Sequence, residues 1–235
     1  MATIIEQIDR PPEEVVEGFR ELLGYESVTC AVSDCMGRFN AMTSGMTPLF
    51  EGIRFVGVAV TAKTLASDLA APFKAIDLCQ PGDVVVIDSH GSVDTAFWGE
   101  NMALSAISRG VVGAVIDGAC RDVEEIRRMR FPVVSKGIVP NVASVSGYGE
   151  VNVPIQCGGV VVNPGDVVVV DGNGVVVVPR EDSPKVLAKA RELLETEHIL
   201  REKIEAGATI GELINVDEVF EDVFAYQERA TREDE

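Results

Sequence analysis

The chain has 235 residues, enough for one large or two small domains, and its 46% hydrophobic and 25% charged residues are the balance of a globular protein with a substantial core. Its 20 basic and 38 acidic residues leave a net charge of −18, a surface that repels phosphate backbones and argues against a general nucleic-acid binder. No apolar stretch approaches the roughly 20 residues that a membrane-spanning helix needs.

The opening MATIIEQIDRPPEEVVEGFRELL is acidic and amphipathic, unlike a secretory leader. Apolar residues spaced by three and four predict a helix over Glu13–Leu23, with Pro11-Pro12 at its start. SVTCAVSDCM reads as a short helix or a strand, and a loop rich in Gly, Met, Thr and Pro runs on to Pro48. RFVGVAVTAKTL alternates as a strand does. PFKAIDLCQPGDVVVIDSHG holds a short helix, a Pro-Gly-Asp turn and a buried strand over Val84–Asp88. WGENMALSAISRG reads as a helix with Gly110 beyond its C-terminus. VVGAVIDG is the next strand, Val123–Met129 the next helix and FPVVSKG a further strand.

After Asn141 the texture changes. VNVPIQCGGVVVNPGDVVVVDGNGVVVVPRE sets short valine-rich strands between Pro-Gly-Asp and Asp-Gly-Asn-Gly turns. PGDVVV occurs at both Pro81 and Pro164, a turn feeding a buried strand, and two copies do not make a repeat. Asp182–Ala206 is a long charged helix, and the tail from Gly207 is acidic and expected to be mobile at its end. No linker-like stretch divides the chain. One α/β domain with a mixed sheet is therefore expected over residues 1–235, with the N-terminal helix within 1–27 and the C-terminal helix and tail over 182–235.

The five cysteines (Cys30, Cys35, Cys79, Cys120, Cys157) are scattered and form no CxxC pair, which favours reduced thiols in a cytoplasm over disulfides or a zinc site. Candidate chemistry gathers at two strand-to-helix junctions. Arg121-Asp122 follows the strand ending in Asp117-Gly118, and Gly99-Glu100-Asn101 follows the strand before it. Loops at the carboxyl ends of strands in open α/β sheets are where ligands bind. The bland alternative is an Asp meeting the helix dipole beside a solvated Arg. Against it, free N–H groups over Gly99–Met102 suit a small carboxylate, Asp122 is a ligand for a hard cation such as Mg²⁺ or Mn²⁺, and Arg121 offers a forked cation to an oxyanion. That combination fits a small keto-acid site.

Other residues have weaker claims. Lys136 is the candidate Schiff-base lysine of a metal-free aldolase, with a surface strand-end lysine as its plain alternative. His90 lies just past a strand, His198 sits on the charged helix, and Cys120 reads as a packing residue of the turn. GVVGAV and GGVVVNPGD lack the GxGxxG spacing, so no dinucleotide or methyl-donor site is assigned.

The segments GENMALSAISRGVVGAVIDGACRD, FPVVSKGIVPN and GYGEVNVPIQCGGVVVNPGDVVVVDGNGVVVVPRE, with a Glu-rich terminal helix, closely resemble the RraA-like family over about Val28–Gly207. That family includes metal-dependent 4-hydroxy-4-methyl-2-oxoglutarate / 4-carboxy-4-hydroxy-2-oxoadipate aldolases. In the aldolases an acidic residue, twenty intervening residues and Arg-Asp form the diagnostic pattern. Glu100 precedes Arg121-Asp122 with that spacing, although Asp is commoner at the first position. The resemblance implies a swivelling-type α/β/β fold, a homotrimer or homohexamer with sites between subunits, and Asp122 anchoring a divalent metal largely through waters. It also implies Arg121 on the keto oxygen of a pyruvate-like ligand and a Glu from a neighbouring C-terminal helix, best matched by Glu197 in RELLETEHILREKIEAG. The implied chemistry is retro-aldol cleavage of 4-hydroxy-2-oxo acids, with oxaloacetate decarboxylation through the same enolate. The family also holds non-catalytic regulators of ribonuclease machinery that lack the Asp after the Arg, and Asp122 favours the enzyme.

Overall fold

The computed structural model describes residues 2–65 and 67–221. It divides into two compact units, Met1–Arg191 and Glu192–Glu235. In chain order the elements are β1 (Thr3–Ile4), α1 (Glu13–Leu22), α2 (Val28–Cys35), β2 (Thr47–Pro48), β3 (Phe55–Lys63), α3 (Ala70–Leu78) and β4 (Asp83–Ala96). There follow α4 (Glu100–Ser108), β5 (Gly113–Cys120), α5 (Val123–Met129), β6 (Val133–Ile138), β7 (Glu150–Val151), β8 (Ile155–Cys157) and β9 (Val160–Val162). The hairpin β10 (Val167–Asp171) and β11 (Gly174–Val178) precedes the long helix α6 (Ser183–Glu205) and the short α7 (Ile210–Leu213).

The fold is mixed α/β, as expected. β3, β4, β5 and β6 are parallel neighbours, and their centres read Val-Val-Val-Ile and Ala-Val-Ile because both faces are buried. β3 is shared along its length. Residues 55–58 pair antiparallel with β10, and Ala62-Lys63 pair antiparallel with β7. Short β2 closes the β6 edge, and β8–β9 form a separate hairpin. α1 and α3 pack on β3, α2 packs on the β10–β11 hairpin, and α3, α4 and α5 touch in succession.

The helices form where their apolar spacing demands. α1 buries Val15, Val16, Phe19 and Leu22 on one face and starts behind Pro12, whose φ of −54° suits the entry. SVTCAVSDCM resolves as helix α2, which Asp171 pins to β10. Its carboxylate accepts the Thr29 N–H at 2.9 Å and the Thr29 hydroxyl at 2.7 Å.

The two PGDVVV segments are one turn used twice. Gly82 and Gly165 have φ of 89° and 92°, a conformation that glycine takes without the steric cost of a side chain. In each turn the Asp accepts the N–H three residues back, from Gln80 at 2.7 Å and from Asn163 at 2.8 Å.

The main departure from the sequence reading is β4, which continues well past Asp88. His90 and Gly91, with φ of 57° and 71°, form a bulge. Pairing then recurs at Ser92 opposite Gly118 and, past a second register shift, at Ala96 opposite Ala119. Such a bulge leaves no periodic signal in the sequence. Its consequence is that β4 and β5 end together.

In the second unit, Thr209 and Glu212 form a reciprocal capping box at the start of α7, with bonds of 3.2 and 2.9 Å. His198 lies 3.6 Å from Glu202, one helical turn on. The acidic tail after residue 221 lies outside the described residues.

Arg10 forks onto buried Asp83 at 2.6 and 2.8 Å, tying the N-terminal segment to the base of β4. Removing one member of such a pair leaves the other without its charge partner. Asp83→Ala is expected to cost about 3 kcal/mol, read as a lowered urea midpoint at unchanged slope.

Candidate active site

The joint ending of β4 and β5 builds the site. The Phe97 N–H donates to the Ala119 carbonyl at 2.9 Å, and the Arg121 N–H donates to the Trp98 carbonyl at 2.9 Å. The two strand-to-helix junctions are thus zipped together before either helix begins. The Glu100 N–H, first of α4, then donates to Asp122 Oδ2 at 3.0 Å. Asp122 is the N-cap of α5 and has φ of 54°, uncommon for a residue with a side chain. Such strained residues persist where the surroundings over-determine them and cluster at functional sites. Arg121 Nε lies 3.5 Å from Asp122 Oδ2, and both side chains are about one-third exposed.

Gly99 makes this approach possible. A Cβ there would lie 2.6 Å from Asp122 Oδ2 and 3.3 Å from the Arg121 side chain. The residue is extended (φ −156°), so the need for glycine is one of space rather than of backbone conformation.

These groups line a cleft of about 90 Å³. Its polar lining is Gly99, Asn101, Arg121 and Asp122, and its apolar lining is Leu69, Phe73, Met102, Val142, Ala96 and Trp98. Most ligand pockets are about 300–1,000 Å³, so this one suits a compact ligand. Trp98 is buried and stacks on Phe131 at 5.8 Å between ring centroids. The apolar side is pinned by Asp68, which accepts N–H bonds from Ala70, Ser146 and Tyr148 at 2.7, 3.1 and 3.0 Å. Burial works to raise its carboxyl, but those donors prevail and hold it below its ordinary value.

Gly99, Asn101, Met102, Arg121 and Asp122 thus line one cleft. Glu100 contributes its backbone N–H to Asp122, and its side chain is not among the cleft-lining groups. Because that N–H is taken, the first-turn donors left for a ligand are those of Asn101 and Met102, which have no i−4 carbonyl within α4. Glu197 is an exposed residue of α6 in the second unit.

The weaker candidates fall into structural places. Lys136 is ion-paired with buried Asp117 and lines no part of this cleft. His90 belongs to the β4 bulge, half exposed and 3.9 Å from Asp88. Cys120 is buried beside Ser135 at 3.4 Å, and burial pushes its thiol up, away from a reactive thiolate. The apolar residues Leu69, Phe73 and Val142 were not legible as site residues. Strand order sets α3 beside α4, and the Ala96–Val142 and Asp68–Ser144 bridges carry the 141–144 segment to the same edge.

Comparison with known proteins adds the following. Residues 29–177 match the RraA-like family, Aldolase/RraA. The chain is 37% identical over 176 residues to an uncharacterised protein of Methanocaldococcus jannaschii, covering 74% of this chain and 85% of that one. It is 34% identical over 158 residues to the 4-hydroxy-4-methyl-2-oxoglutarate aldolase of Thermus thermophilus, covering 67% and 96%. Among solved structures, Streptomyces coelicolor RraAS2, described as an unusual member of the RNase ES inhibitor RraA protein family, superposes with a TM-score of 0.72 at 29% identity. That match covers 83% of this chain and 100% of the other.

The Asp122 hydrogen bond can be tested directly. Asp122→Ala is expected to speed exchange of the Glu100 amide roughly tenfold, the worth of a bond to a charged acceptor, whereas Asp122→Asn keeps an acceptor and most of the protection. Hydrogen exchange followed by NMR reads both.

Proposed function

We propose a function from one premise: the chain belongs to the RraA-like family, Aldolase/RraA. The reading is a divalent-metal-dependent lyase that cleaves 4-hydroxy-2-oxo acids to pyruvate by a retro-aldol reaction and decarboxylates oxaloacetate through the same enolate. One observation carries it. Arg121 and Asp122 stand side by side in the cleft, with Asp122 Oδ2 held by the Glu100 N–H and Oδ1 without a hydrogen-bond partner among the described residues.

The fit to a cation rests on that donor set. Among the described residues no group of three or more His, Cys, Asp and Glu gathers, so Asp122 would hold the ion with water completing its shell. Mg²⁺ and Mn²⁺ are hard ions that suit oxygen ligands, and Mg²⁺ in particular keeps several waters. When bound, such an ion supplies Lewis-acid stabilisation to the 2-keto oxygen.

The chain's own residues do the rest. The Asn101 and Met102 N–H groups, at the positive end of α4, would take the C1 carboxylate. Arg121 would donate to the keto oxygen and stabilise the charge that collects there as the C3–C4 bond breaks. The proton of the 4-hydroxyl would pass to a water held by Glu100 or by the partner subunit's Glu197. Oxaloacetate has no such proton to lose, so its decarboxylation makes the smaller demand. The reading includes a homotrimer or homohexamer with sites between subunits. Leu65, Val145 and Tyr148, all exposed, are the kind of side chains that such a contact covers.

The likeness to RraAS2 favours a second reading, a non-catalytic regulator that binds a ribonuclease. Asp122 weighs against it. Pyruvate release from oxaloacetate and from 4-hydroxy-4-methyl-2-oxoglutarate, with Mg²⁺ and with EDTA, separates the two. Turnover of at least one substrate is expected with Mg²⁺ and is expected to vanish with EDTA. Asp122→Ala is expected to lose at least about 100-fold in kcat, and Arg121→Ala about 10²–10³-fold. Inactivity on both substrates, together with tight binding to a ribonuclease, would establish the regulator instead.

A further inference from the structure

Resting on the lyase reading above, we propose that Lys136 is a positioning residue for this site. It acts from outside the cleft, through Asp117 and the β4 bulge, on the strand ends that carry Arg121 and Asp122.

Asp88 and Asp117 pair across β4 and β5, and Lys136 follows beside Asp117 because Ser135 pairs with Ile116. The three side chains therefore stand in a row on one face of the sheet. Backbone N–H groups of the β8 segment cover the two carboxylates. Gln156 donates to Asp88 Oδ2 at 3.3 Å and Gly158 to Asp117 Oδ2 at 2.7 Å. Asp117 is buried, and its Oδ1 has no hydrogen-bond partner among the described residues. The Lys136 ammonium answers that oxygen as an ion pair. A carboxylate so buried is costly once its counter-charge is removed.

This pair lies beneath the bulge. A Cβ on Gly91 would be 3.4 Å from Lys136 Nζ and 3.6 Å from Asp117 Oδ1, so the bulge rests on the two charged groups. The bulge is also tied down by the His90 N–H on Asp88 Oδ1 at 2.9 Å and the Ser89 hydroxyl on the Asp117 carbonyl at 2.7 Å. On the β5 side it needs Gly118, where a Cβ would collide with the Ser89 hydroxyl and lie 2.9 Å from the Ser92 carbonyl.

Where β4 leaves the bulge decides how it meets β5 again. Ala96 pairs with Ala119, and the Phe97 and Arg121 N–H groups then close the two junctions. Without the ammonium, water is drawn under the bulge toward Asp117, and residues 96–98 lose their fixed register against 119–121. The first-turn N–H groups that would take the substrate carboxylate belong to α4 alone. Stabilising the enolate needs α4 and Arg121 in mutual register, and small misplacements of reacting groups are costly. Loss of Lys136 therefore falls on kcat rather than on KM. Its side chain is 27% exposed, so a substitution there leaves no sealed void in the core.

The test uses the full-length protein with Mg²⁺ and oxaloacetate, comparing Lys136→Met with Lys136→Arg. Lys136→Met is expected to lower kcat at least tenfold with KM within about threefold. Lys136→Arg keeps the charge and is expected to restore kcat to within about threefold of the unaltered protein. Hydrogen exchange by NMR should show the Phe97 and Arg121 amides at least tenfold faster in Lys136→Met, with the Val86 amide below the bulge unchanged. Unchanged kcat in Lys136→Met would overturn the inference. Lost activity with the Phe97 and Arg121 amides unmoved would also overturn it, by placing Lys136 in the reaction itself. Faster exchange at Val86 as well would reduce Lys136 to a residue of general stability. Inactivity of the unaltered protein on oxaloacetate and on 4-hydroxy-4-methyl-2-oxoglutarate would overturn the lyase reading, and the amide rates would still test the link from Lys136 to the strand ends.

Discussion

A single hydrogen bond organises the candidate site: the first N–H of α4 donates to the carboxylate that caps α5. It joins two helix starts that lie 22 residues apart in sequence. It also engages Oδ2 of Asp122. The geometry has two costs. Asp122 adopts a left-handed backbone, and residue 99 must lack a side chain. Both are met because β4 and β5 are already zipped beneath the junctions by the Phe97–Ala119 and Trp98–Arg121 bonds. A rigid base of paired strands is what lets a strained residue persist there.

The carboxylates of this acidic chain divide by environment. Asp68, Asp83, Asp166 and Asp171 are buried, and each accepts backbone N–H groups that tie distant segments or turns together. Where donors are plentiful, as at Asp68, the carboxyl is held low. At Asp166 burial prevails over its donors and pushes the carboxyl up. These groups are structural, since each is buried and already accepts several hydrogen bonds. Asp122 differs in being about one-third exposed, with the Glu100 N–H on one of its oxygens.

The cleft has two faces of unlike origin. Its polar side comes from chain segments at the ends of adjacent parallel strands, where α/β sheets ordinarily present ligand-binding loops. Much of its apolar lining, Leu69, Phe73 and Val142, is brought in by the Asp68 bonds and by the bridge between Ala96 and Val142.

The sequence by itself determined most of the architecture. Buried valine runs identified β4, β5 and β10, three- and four-residue spacing identified α1, a long charged run identified α6, and the ends of successive strands marked the junctions at Gly99–Asn101 and Arg121-Asp122, because each is a short-range signal. Tertiary structure alone decided that β4 runs through a bulge to end level with β5. It also decided that the Glu100 N–H rather than the Glu100 side chain meets Asp122, and that Leu69, Phe73 and Val142 face the same cleft. Those outcomes hang on strand register and on contacts between residues far apart in the chain, and such pairings are settled only when the whole sheet and its packed helices close together.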